Sequence, residues 1–166
     1  MRHSALATHG PWALLITGLL NGHGLALADD VPLAPFERLV GGEWHLEDSY
    51  QSFEWGVGRR SVRARSYLLV DGTAQLVSEG FWYWHPGEQR IRGVFTAIEM
   101  PVTLFDYVTR FDGDTMVSEL AAYDAAGDSD RYIETWRFSG ERAFEWALRA
   151  EPGGEPLMSG TYQRTP

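Results

Sequence analysis

The sequence predicts an all-β fold: one antiparallel up-and-down β-barrel of about eight to ten strands with a short N-terminal helix. Three observations predict it. First, turn signals recur at Asp71-Gly72, Pro86-Gly87, Met100-Pro101, Asp112-Gly113, Gly127-Asp128, Ser139-Gly140 and Pro152-Gly153-Gly154. Their spacing of about 12 to 15 residues leaves room for one strand and its turn. Second, the segments between turns alternate apolar and polar residues with a period of two. Third, no gap has the length and apolar period of a crossover helix, which excludes a parallel βαβ sheet. A long meander with free edges invites aggregation, and closure into a barrel removes those edges.

The first residues read as a leader rather than as part of the fold. Arg2, His3 and His9 precede the apolar run Pro11–Leu20, and Ala26-Leu27-Ala28 follows as a small-x-small cleavage site. That is the three-part pattern of a secretory signal peptide. The run is shorter than the roughly 20 residues that span a bilayer. Residues 1–28 are therefore expected to be cleaved after Ala28 by Sec-type export. The expected product is periplasmic or secreted and does not span the membrane. No twin arginine precedes the run, and the chain has no cysteine for lipid attachment or disulfides.

Residues 29–166 suit a single domain. With no disulfide, a packed core must hold the fold. The domain has the means, with 21 Phe, Trp and Tyr residues after the leader. All 23 acidic residues follow the leader, against 13 arginines and no lysine. That balance argues against nucleic-acid binding, which needs basic side chains to neutralise phosphates. The sequence carries no signature of a particular oligomeric state.

In chain order, Pro35–Val40 ending at Gly41-Gly42 reads as the short helix. Strands are expected near 43–50, 60–69, 74–84, 90–98, 102–111, 115–123, 131–138, 142–150 and 157–164. Alternation assigns the faces. Trp44, Leu46 and Asp48 share one face of the first strand. Arg90 and Arg92 mark an outer face and leave Ile91, Gly93, Phe95 and Ala97 inside. Phe105, Tyr107 and Phe111 oppose Asp106 and Arg110. Tyr132, Glu134, Trp136 and Phe138 oppose Arg131 and Arg137, and Phe144, Trp146 and Leu148 oppose Glu145 and Arg149. Phe81-Trp82-Tyr83-Trp84 is aromatic on both faces, so alternation leaves either face open as the core.

Gly41-Gly42-Glu43-Trp44 opens the first strand and Tyr162-Gln163-Arg164 closes the last. With Phe36–Val40 and Glu79-Gly80-Phe81-Trp82-Tyr83-Trp84-His85-Pro86, these segments resemble the calycins, in particular lipocalin-like domains of bacterial exported proteins. The resemblance runs from Phe36 to Arg164. It implies a barrel whose end is plugged by Trp44, with Arg164 packed across the indole. It also implies an interior that holds a ligand.

Several chemistries find no support. His45 is expected to point outward and His85 to sit in a turn, so neither suits the inward iron ligand of haem-binding barrels of the nitrobindin kind. No cofactor and no metal are expected. The Asp112–Asp114 and Asp124–Asp130 loops lack the spacing and closing Glu of an EF-hand. The Arg59–Arg65 stripe reads as an outer face balanced by acids. No Gly-x-Ser-x-Gly and no phosphate loop appear.

What remains is a barrel with aromatic inner faces. The expected function is binding of a small apolar or amphipathic molecule in a cavity lined by Trp82, Phe95, Tyr107, Tyr132, Trp136 and Trp146. Glu134 would orient the ligand, because a carboxylate inside a barrel needs a partner. Two alternatives stand beside it. One is an isomerase-like or cyclase-like barrel with Glu134 as acid or base. The other is a filled barrel that docks a partner through Phe81–Trp84.

Overall fold

The computed structural model describes residues 31–98 and 100–165; the expected signal peptide and its cleavage site lie outside them. Ten strands form the sheet: β1 (Glu43–Leu46), β2 (Ser49–Trp55), β3 (Ser61–Val70), β4 (Thr73–His85), β5 (Arg90–Ala97), β6 (Val102–Asp112), β7 (Thr115–Asp124), β8 (Ser129–Phe138), β9 (Ala143–Arg149) and β10 (Met158–Thr165). Each pairs antiparallel with its neighbours in sequence, and β1 pairs with β10 to close the barrel.

Two local expectations are corrected. The expected first strand 43–50 is a tight hairpin, β1 and β2, and residues 50–55 are strand. Asp48 therefore sits in the turn and not on the strand face. That turn hid because it contains no Gly or Pro; Glu47 itself takes φ 51°. The helix is a 3₁₀ segment, Ala34–Arg38. It starts at Ala34, with Pro35 tolerated in the first turn, and ends before the glycine pair.

Antiparallel connectivity puts the turns 56–60, 86–89, 113–114 and 139–142 at one end, with the 3₁₀ segment. Phe36 plugs that end, fully buried, with ring centroids 5.2 Å from Trp82 and 5.0 Å from Phe111. Trp44 and Arg164 are direct partners across the β1–β10 seam. The Trp44 Nε1 donates to Leu39 O at 2.9 Å, and the Arg164 guanidinium lies 5.3 Å from the indole centroid. Arg164 also donates to the Val40 and Gly41 carbonyls. Gly42 is required here: φ is 72°, and a Cβ would sit 3.1 Å from Arg164 Nε.

The outer face behaves as alternation predicts. Arg65 lies between Glu54 and Glu79, and Arg92 makes a two-pronged pair with Asp106 at 2.7 and 2.8 Å. Asp124 Oδ1 accepts from the backbone N–H groups of Ala126 and Asp128, so this acid caps its own turn. Register also settles the ambiguous aromatic run. Trp82 is buried and Trp84 packs on the core, while Phe81 and Tyr83 face outward.

Candidate functional site

The half of the barrel nearest the 3₁₀ segment is packed solid. Trp44, Phe53, Trp136, Phe144 and Tyr162 build a continuous aromatic stack there; Trp136 and Phe144 are parallel at 4.7 Å, and Phe144 and Tyr162 lie 4.8 Å apart. The other half holds an open-mouthed cavity of about 400 Å³, within the range of small-molecule sites.

Two glycines shape its aromatic wall. Gly93 stands between Trp82 on β4 and Tyr107 on β6, and Gly80 stands opposite Phe95 on β5. A Cβ on Gly93 would come within 2.6 Å of Trp82 Cδ1, and one on Gly80 within 2.5 Å of the Phe95 ring. Each large ring thus lies over a glycine of the neighbouring strand. That arrangement packs Trp82 and Phe95 with ring centroids 4.6 Å apart and planes tilted by 60°. A register shift between Ser66 and Tyr67 on the β3–β4 ladder adds a residue on β4 near the mouth, and Val77 and Ser78 both line the cavity there.

Glu134 reaches the cavity from β8, between Ser118 on β7 and Leu148 on β9. It is only 8 % exposed. Trp146 Nε1 donates to Glu134 Oε1 at 2.6 Å. The Trp136 N–H lies near enough to favour the charged form but makes no hydrogen bond of its own. Glu134 Oε2 has no hydrogen-bond partner, and no cation pairs with this carboxylate, among the described residues. Burial dominates, and it pushes the Glu134 carboxyl above the usual carboxylate range against the indole hydrogen bonds. Its charge is felt nearby: burial first and Glu134 second push the Tyr107 phenol well up and the Tyr162 phenol to about 12.

Of the seven residues expected at the site, Trp82, Phe95, Tyr107, Glu134 and Trp136 line this cavity together. Trp146 stands behind Glu134 as its hydrogen-bond donor. Tyr132 is half-buried opposite Leu120 and does not line the cavity. The polar lining was not expected: Ser49, Gln51, Ser66 and Ser78 also face the void. Gln51 Nε2 donates to Tyr162 Oη at 3.4 Å, while Gln51 Oε1 is buried without a partner. The buried N–H groups of Trp82 and Trp136 are likewise unpaired. Counting back by twos from Phe53 finds Gln51 and Ser49 once β2 is recognised as a strand.

Around the mouth the surface changes character. Leu68, Val70, Leu76, Ile98, Met100 and Met158 are all exposed at this end. The turns between them hold Glu47, Asp48, Asp71, Asp128, Glu151 and Glu155 and no arginine. Among the described residues no cluster of three or more His, Asp or Glu could hold a metal ion, and no helix is long and apolar enough to cross a membrane. The chain matches no protein-family model, no curated protein and no solved structure.

Proposed function

We propose that this protein is an exported, lipocalin-like carrier that binds one small apolar or amphipathic molecule without covalent chemistry. The ligand lies in the open half of the barrel, with its apolar part on Trp82, Phe95 and Tyr107 and its polar group at Glu134. One observation carries the proposal: a carboxylate 8 % exposed, with one oxygen unpaired, opens into a cavity of about 400 Å³ walled by aromatic rings. Burial makes the charge of this carboxylate costly, and a ligand group that pairs with it offsets that cost. The apolar residues around the mouth give an apolar ligand a path of entry.

The test is native mass spectrometry of the protein purified from its own host. The wild type should carry a co-purifying small molecule. Ala97→Trp, at a lining position near the mouth, should lose it. Repeated absence from the wild type, with no tryptophan quenching by a lipid panel, would overturn the proposal.

A second reading, acid–base catalysis, is favoured by the raised Glu134 pKa beside an open cavity. A catalyst would exchange a carbon-bound ligand proton for deuterium in heavy water at a rate that Glu134→Gln abolishes. A carrier leaves the carbon-bound protons of the bound molecule unlabelled.

A further inference from the structure

We infer that the head group this cavity accepts is a protonated amine, so that the ligand is a small amphipathic monoamine. The inference rests on the binding function proposed above and narrows its ligand class.

Charge is the first argument. Among the described residues, Glu134 is the only acidic residue lining the cavity, and no arginine or histidine lines it. A carboxylate or phosphate head would place like charges together in a poorly solvated space with no cation between them. A protonated amine supplies the missing counter-charge to a carboxylate that no side chain neutralises among the described residues.

Hydrogen-bond inventory is the second. An ammonium carries three donors and no acceptor. Two acceptors in the lining region lack donors, Glu134 Oε2 and Gln51 Oε1. Both residues line the same cavity, and Gln51 also bonds to the Tyr162 hydroxyl.

The wall is the third. Trp82, Tyr107 and Trp136 line the same cavity as the carboxylate, with ring centroids of Trp82 and Trp136 at 6.1 Å and of Trp82 and Tyr107 at 6.3 Å. Aromatic faces attract cations, most strongly where water is excluded. Lastly, the turns at the mouth are acidic, whereas at the opposite end Arg59, Arg60 and Arg142 offset Glu88, Asp114 and Glu141. That asymmetry draws cations to the mouth and raises their rate of entry.

The test uses the mature protein loaded with N-phenyl-1-naphthylamine, an uncharged apolar fluorophore. Octylamine, 1-octanol and octanoate, matched in chain length, compete for the site. Octylamine should displace the fluorophore about tenfold more tightly than 1-octanol, and octanoate should fail. Glu134→Gln should abolish the preference for the amine yet keep the binding of 1-octanol. Gln51→Leu should weaken octylamine more than 1-octanol, and it serves as the second variant if Glu134→Gln does not fold. Equal displacement by octylamine and 1-octanol, or displacement by octanoate, would overturn the amine inference and leave the carrier function standing. If neither the fluorophore nor any competitor binds, both fall.

Discussion

Glu134 loses most of its hydration on folding and regains one hydrogen bond, from Trp146 at 2.6 Å. The ligand-free protein therefore carries this carboxylate at a cost. Its folded pKa is raised above the unfolded value. A group shifted in that direction contributes most stability below its unfolded pKa, about 4.3 for glutamate, and loses it as pH rises through the folded value. Glu134→Gln keeps an acceptor for Trp146 and removes the charge. The variant should be more stable than the wild type at pH 7.5, by about 1–3 kcal/mol. The gap should close as the pH is lowered to about 4. Thermal melts across that range measure it, and a variant that melts lower at neutral pH would show that the carboxylate is favourable even when empty. Glycine makes the second residue-scale prediction. Gly93→Ala would push a methyl group into Trp82 and Tyr107. Overpacking of this kind costs about 1–3 kcal/mol. Urea denaturation should show the loss, and fluorophore binding should weaken because Trp82 moves. Glu134 was legible from the sequence because Arg131 and Arg137 fixed the outer face of its strand. The role of Gly93 was not, since its demand for space comes from rings on two other strands.

At the scale of elements, the strands most legible in sequence were those bounded by Gly or Pro turns. β5 through β10 fall within a few residues of the expected positions for that reason. The β1–β2 hairpin turns instead at Glu47-Asp48, with a non-glycine residue in the left-handed region. No local signal announces that turn, so β2 was missed, and with it the cavity-lining Ser49 and Gln51. Aromatic content on both faces of β4 likewise defeated alternation, and only pairing with Gly93 and Val62 shows that Trp82 is the inner residue. The seam element, by contrast, follows from its motif. Trp44 is fully buried, holds Leu39 O and lies beneath Arg164. Trp44→Ala should cost about 3–5 kcal/mol, as large aromatic truncations in cores do. Arg164→Ala removes the stacking cation and two carbonyl contacts, and should lower stability less. An unchanged melting temperature for Trp44→Ala would show that the seam is held by strand pairing alone. Neither change touches the cavity, so the variants that stay folded should bind the fluorophore as the wild type does.

For the whole molecule, closure is the property from which the others follow. Glu43 pairs with Thr165 across nearly the full length of the domain, and the barrel is complete only when β10 is seated between β1 and β9. No disulfide ties the two ends. The cavity depends on the same closure, because Met158 and Tyr162 of β10 form part of its wall. Deletion of residues 158–166 would leave β1 and β9 as unpaired edges and open the aromatic stack at Phe144. Exposed edges beside exposed aromatic surface favour strand pairing between chains. The truncated protein should therefore elute as large assemblies in size-exclusion chromatography and fail to take up N-phenyl-1-naphthylamine. A synthetic peptide of residues 157–166 supplied during refolding should restore a compact species, since it returns the missing strand to its slot. A truncated protein that stays monomeric and binds the fluorophore would mean that the remaining nine strands hold the cavity without closure. Closure would then be incidental to binding, and the ligand site would belong to β2 through β6 and β8.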